Sequence, residues 1–228
     1  MHIDVWTDVA CPWCYLGIRH LRSALSEFPH AADVEIALHA YFLDPELSEA
    51  PGVSEAEYLA EHKDIGPEQV QAMHERLASL GRAEGVAFDF DDLVVVPTSN
   101  AHRAIAAAHD VDLARDTVTG PDTTQLKLLE AIDRAHFEMG LDVSDPDVLV
   151  GCAQDIGMGA QEVVASLADE ARASEVFSDY QIAVQMGVES VPTFLIDRRF
   201  VVQGAQPVTA LSNALATAWE QSHAEESR

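Results

Sequence analysis

Three things are scarce in this chain. Its 228 residues include only three cysteines, Cys11, Cys14 and Cys152, too few for a disulfide framework at this size. Positive charge is scarce too: 13 basic residues stand against 39 acidic ones, for a net charge of −26, and the only lysines are Lys63 and Lys127. A field of that sign repels nucleic acid and anionic membranes, and no basic patch interrupts it. The plain use of such acidity is a solvated surface that favours solubility, with salt adaptation as a variant of it. Long apolar runs are also missing, and none approaches the ~20 residues of a membrane span. The opening MHIDVWTDVA carries neither a basic n-region nor an apolar h-region, so it reads as folded structure and not as a secretory leader. A cytoplasmic protein is the simplest expectation. Because 48% of the residues are apolar, the chain can bury a core of ample size, as one large domain or one domain carrying an insertion.

Against that scarcity, two of the three cysteines stand two residues apart in DVACPWCYLG, residues 8–17. Zinc would require a second pair of ligands at metal spacing, and no second CxxC or HxxxH is present, so no metal site is expected. In a reducing compartment a lone CxxC points to redox chemistry. Cys152 lies on an apolar stripe and is expected in the core.

The surrounding pattern gives the pair a setting. Ile3 and Val5 alternate with polar neighbours over His2–Thr7, as in a short strand. Cys11, Cys14, Ile18, Leu21, Leu25 and Phe28 then recur every three or four residues, one face of a helix, with Pro12 at its first position and Pro29 beyond its end. Val34–Tyr41 reads as a second strand, so residues 2–41 form a βαβ unit. From about Asp44 to Arg172 the pattern is helical, with a capping box at Ser54–Glu57 and apolar stripes at Val70, Met73, Leu77, Leu80 and at Leu128, Ile132, Ala135, Met139. A helix over roughly Ser174–Met186 follows, then a hairpin of Thr193–Ile196 and Phe200–Gln203, then a closing amphipathic helix that includes Leu211, Leu215 and Trp219. The expected fold class is therefore α/β, with a helical block between a βαβ unit and an αββα unit.

The helical spacing also assigns chemistry. A thiolate, and not a thiol, attacks a disulfide. Cys11 falls at the tip of the helix, where unpaired N–H groups and the helix dipole favour negative charge. Thiols so placed ionise more readily than the ~8.5 of free cysteine. Cys14, one turn further in, is shielded but near enough to resolve a mixed disulfide on Cys11. Trp13 offers no cation beside the sulfur, which predicts a weaker oxidant than a CxxC with histidine in that place. Trp13 itself is expected as apolar surface beside the thiol. Asp8, three residues ahead of Cys11, is either a relay for a proton or a residue of the helix entry. Tyr15 suits substrate contact and packing equally. In GVESVPT, residues 187–193, Pro192 opens a strand and lacks an N–H; were its peptide bond cis, Val191 would offer its backbone to an extended peptide.

DVACPWCYLGIRHLRSAL, SNAHRA and GVESVPTFLIDRRFVVQGAQPVTAL resemble the DsbA-like oxidoreductases, in particular their FrnE-like branch, over essentially the whole chain. The resemblance implies a thioredoxin-like fold with an inserted all-helical domain: residues 1–43 and 173–228 would form the thioredoxin-like domain and 44–172 the insertion. It implies thiol–disulfide oxidoreductase activity with Cys11 as nucleophile, Cys14 as resolving thiol, Pro192 as cis-proline and Val191 before it, supported by Pro12 and Asp8, with Trp13 touching substrate. His102 and Arg103 match a segment of the branch, although a solvated helix face is the plainer reading. The expected partners are disulfide- or dithiol-containing proteins or small thiols, with neither nucleic acid nor membrane. No bound cofactor is expected, glutathione being a possible exchange partner. The oligomeric state is left open. Kappa-class glutathione transferases and 2-hydroxychromene-2-carboxylate isomerases share the architecture but have serine in place of Cys11. A glutathione-dependent small-molecule isomerase is thus the second reading, and a redox-inactive peptide-binding or chaperone module the third.

Overall fold

The structure, a computed structural model, describes residues 1–226. Its elements run β1 (His2–Thr7), α1 (Pro12–Ser26), a short 3-10 turn (Ala31–Asp33), β2 (Glu35–Ala40), α2 (Glu55–Lys63), α3 (Pro67–Ala83), α4 (Ser99–Arg115), α5 (Thr124–Met139), α6 (Pro146–Asp155), α7 (Ala160–Ala168), α8 (Glu170–Gln185), β3 (Thr193–Ile196), β4 (Phe200–Gln203) and α9 (Val208–Glu226). The four strands form one mixed sheet in the order β2-β1-β3-β4. β1 pairs parallel with β2 and antiparallel with β3, so Val5 stands opposite both Leu38 and Phe194. Asp197 and Arg198 turn the β3–β4 hairpin with positive φ, the backbone state that short hairpins of this twist require.

The α/β thioredoxin-like arrangement and the helical block between its halves are as expected. Three details differ. α8 begins at Glu170 and not near Ser174, because the Asp169 side chain accepts a hydrogen bond from the Ala171 amide and caps the helix there. The expected boundary between residues 172 and 173 therefore falls inside α8. Met139 is exposed, not part of the α5 stripe: it is the last residue before Gly140 takes the left-handed conformation that ends the helix, and Phe137 is buried instead. α7 has no side-chain cap and was not visible as a separate helix in the sequence.

The largest apolar cluster joins the sheet to the helical block. Ile3, Val5, Leu25 and Phe194 share it with Ala104, Leu129 and Leu149. Ala101, Ala104 and Ala108 on α4 are all fully buried, and their small side chains let the helices around them approach closely. On the β2 side His39 bridges Asp4 at 2.8 Å and Asp179 of α8 at 3.5 Å, with Trp6 stacked on its ring. Burial alone would lower its pKa, but the two carboxylates outweigh it and lift the imidazole to about 9. α8 is thereby tied to the sheet by charge as well as by packing.

One contact sets the active end. Gly17 on α1 faces Pro192, and a Cβ at Gly17 would lie 2.6 Å from the proline Cγ. Alanine normally gains ~1 kcal/mol over glycine inside a helix. Here the clash wins, since Pro192 belongs to a buried, rigid segment. Gly17→Ala is expected to destabilise the fold by about 1–3 kcal/mol. Urea unfolding checks it, and a more stable variant would show that the segment yields.

Candidate active site

The loop after β1 delivers Cys11 to the N-terminus of α1. Cys11 is the N-cap, in extended conformation, and its amide donates to the Asp8 carbonyl at 3.0 Å. Pro12 takes the first helical position, and no acidic residue lies in the first turn to oppose an anion there. Cys11 and Cys14 lie 3.5 Å apart, both as free thiols. Cys14 is completely buried; that burial, and the neighbouring Cys11, push its thiol well above the usual cysteine range. Cys11 is only 6% exposed, so the tip of the helix is far less open than the sequence suggested, because Trp6, Ala183, Val188 and Val191 pack around the pair.

The Val191–Pro192 peptide is cis. The Cys11 thiol donates to the Val191 carbonyl at 3.8 Å, so the residue before the proline meets the first cysteine directly. Trp13 is half-buried against the same cluster, and Tyr41 packs on it as well. Arg76 of α3 stands over the Trp13 indole, its guanidinium carbon 5.3 Å from the ring centre.

Asp8 is buried, and its carboxylate accepts from the amides of Leu43 (2.8 Å) and Ala10 (3.3 Å) and meets His102 Nε2 at 3.3 Å. These contacts brace the loop ahead of Cys11. His102 therefore does not lie on a solvated helix face: it is 4% exposed, bonded to Asp8 and set edge-on to Phe42. Its neighbour Arg103 holds carbonyls at the end of α7, those of Ser166 (3.0 Å), Leu167 and Asp169 (3.1 Å). Tyr15 is a packing residue, stacked on Phe137 with its hydroxyl donating to Glu138 at 2.6 Å. Cys152 is buried in the core and far along the chain from the pair; burial lifts its thiol to about 11.

Sequence reading missed Asp133. This α5 carboxylate is 1% exposed, and neither oxygen has a hydrogen-bond partner among the described residues. Burial first, then the charges of Glu130, Cys11 and Asp8, push its carboxyl well above the usual range. A polar residue flanked by Ile132 and placed between Leu129 and Phe137 was the available signal, but amphipathic spacing alone puts it on no particular face. Arg76 was missed for a different reason: nothing local links α3 to the CxxC. Among the described residues no group of three or more His, Cys, Asp or Glu is placed to hold a metal ion, and no helix is long and apolar enough to cross a membrane.

The chain that carries these two free thiols at a helix start, with a cis-proline segment beside the first of them, matches a known sequence family. The DSBA-like thioredoxin domain model matches residues 2–216. The chain belongs to the DsbA-like thioredoxin family. It is similar to the probable DsbA oxidoreductase SCO1869 of Streptomyces coelicolor, at 34% identity and TM-score 0.83 over 96% of this chain and 90% of that one. The cytosolic disulfide reductase DsbM of Pseudomonas aeruginosa, solved with GSH, shares the fold at 21% identity and TM-score 0.65, covering 96% of this chain and all (100%) of that one. So does a 2-hydroxychromene-2-carboxylate isomerase, at 14% identity and TM-score 0.66 over 98% of each chain. No curated protein sequence matches the chain.

In this DsbA-like fold Asp133 carries a thermodynamic cost. Its carboxyl keeps its proton in the folded state to a higher pH than in the unfolded chain. Above about pH 4 the unfolded chain therefore binds fewer protons than the folded one, and stability falls as pH rises. Asp133→Asn removes that dependence. The variant is expected to melt above the parent, by roughly 2–8 °C near pH 8 and by less near pH 5. Thermal unfolding at the two pH values is the check; an equal difference at both would mean that Asp133 is not held protonated.

Proposed function

We propose that the protein is a thiol–disulfide oxidoreductase working through Cys11 and Cys14, with no bound cofactor, in the cytoplasm. The observation that carries this reading is the pair itself: two free thiols 3.5 Å apart, one at the helix cap against Val191 and the other wholly buried. Cys11, at the N-terminal end of α1, attacks a substrate disulfide and forms a mixed disulfide, and one substrate sulfur leaves as a thiol. Cys14 keeps its proton until then, because burial disfavours its anion. Once it yields that proton it displaces the second substrate sulfur and closes the Cys11–Cys14 bond. This sequence reduces the substrate disulfide and oxidises the protein dithiol; its reverse, starting from the Cys11–Cys14 disulfide, oxidises a substrate dithiol. The backbone of Val191, beside Cys11, offers an extended substrate a strand-like partner, with Pro192 behind it and Trp13 as apolar contact. Asp8 and Pro12 support the site by shaping the entry to α1.

Proteins or small molecules bearing a disulfide or dithiol are the substrates, with glutathione as one exchange partner. The cytosolic reductase DsbM, solved with GSH, supports both that partner and the compartment. The FrnE-like motifs and the absence of histidine between the cysteines favour reduction or isomerisation over strong oxidation. The isomerase reading draws only on a shared fold and makes no use of the second thiol.

Cys11→Ser is expected to reduce insulin-disulfide cleavage to background. Cys14→Ser is expected to accumulate a mixed disulfide with substrate, visible as a mass adduct on Cys11. A Cys11→Ser protein with undiminished turnover would remove the reading. Equilibration of the parent with glutathione should give a potential well below the ~−120 mV of the strongest oxidants.

A further inference from the structure

The dipeptide between the cysteines carries no charge, yet a charge stands beside it. The Arg76 guanidinium covers the Trp13 indole at 5.3 Å, and Trp13 packs against the cluster that holds both thiols. Arg76 is exposed, and no carboxylate pairs with it among the described residues. With 39 acidic residues against 13 basic ones, Arg19, Arg22 and Arg172 each find acidic partners. On its own helix the places three and four residues away from Arg76 hold Ala72, Met73, Ser79 and Leu80, none of them charged. The adjacent Glu75 is engaged by Gln71 at 3.1 Å. A cation–π contact orients an arginine without neutralising it, so its outward N–H groups remain open to an anion.

A residue of the other sign also lies beside the cluster. Beyond Val191 the chain presents exposed Glu189, whose charge acts on Tyr41. The cluster that holds the thiols thus has the Arg76 cation over Trp13 and the Glu189 carboxylate acting on Tyr41, within a molecule whose overall field is negative.

The geometry points to Arg76 as the specificity-determining residue of the thiol site, selecting disulfides that carry a carboxylate next to the reacting sulfur on the Trp13 side. This rests on the exchange reaction proposed above and names its substrate class. In the step concerned, Cys11 bonds to the near sulfur of an anionic disulfide and the far half leaves as a thiol. Cys14 then gives up its proton and displaces the near half, so one disulfide is reduced to two thiols and the protein dithiol is oxidised. Arg76 takes no part in bond making; it holds the substrate carboxylate while the sulfurs meet. Without it, the field of the protein would drive such substrates away.

Three small aliphatic disulfides that differ in charge test this: dithiodiglycolate (anionic), hydroxyethyl disulfide (neutral) and cystamine (cationic). The rate at which each oxidises the reduced protein is read by quenched alkylation and mass. Arg76→Gln keeps a stem over the indole but loses the charge. It is expected to slow the anionic disulfide about three- to tenfold, leave the neutral one within about twofold and speed the cationic one. Arg76→Lys should retain most of the anionic rate, and about 0.5 M salt should erase the difference between parent and Gln variant. Equal factors on all three disulfides would make Arg76 a structural support of Trp13, and an unchanged anionic rate in the Gln variant would also overturn the proposal. If the parent reacts with none of the three, the exchange reaction itself fails, a separate outcome.

Discussion

Gly17 has no side chain, and Pro192 fills the room that one would take. Much of the active end depends on that approach. It brings the first turns of α1 against the segment that precedes β3, and so brings Cys11 to the Val191 carbonyl across 180 residues of sequence. β1 serves both partners, since α1 leaves its end and β3 lies antiparallel beside it. Two pieces far apart in the chain meet at van der Waals distance because one of them lacks a methyl group. Interiors packed to crystal-like density do not accommodate that methyl by small adjustments.

The helical block does more than cover the sheet. α4 supplies His102 to the carboxylate that braces the thiol loop, α5 places Asp133 within electrostatic reach of Cys11, and α3 lays Arg76 over Trp13. The thioredoxin-like part thus provides the sulfurs and the backbone that faces them, and the inserted part adds His102, Asp133 and Arg76 around them. Fully buried Cys14 and the unpartnered carboxyl of Asp133 are both groups whose ionised forms burial disfavours. Cys11 stands instead at the N-cap of α1, at the positive end of the helix dipole.

Much of this was legible before any coordinates. The strands, α1, the hairpin and the order of the blocks follow from period and punctuation: alternation at Ile3 and Val5, proline at position 12, and turn residues at 197–199. The different depths of the two cysteines follow from their places on a helix one turn apart, although the closeness of the cover over Cys11 does not. His102 illustrates the limit. On an alanine-rich helix nearly every face is apolar enough to bury, so spacing could not show that this face turns toward Asp8. Met139 illustrates the converse, a stripe that continues in sequence one residue past the end of the packing surface.

Local rules reach about as far as one turn or one hairpin, because they rest on contacts between neighbours in the chain. Which sulfur caps the helix, where the helix starts and which way the hairpin turns are settled at that range, and the amino-acid order was enough for them. The approach of Pro192 to Gly17, the unpaired carboxyl of Asp133 beneath the thiols and the guanidinium over Trp13 each join residues more than 60 positions apart. Only closure of the whole core brings such pairs together, so their charges and clearances belong to the tertiary structure alone.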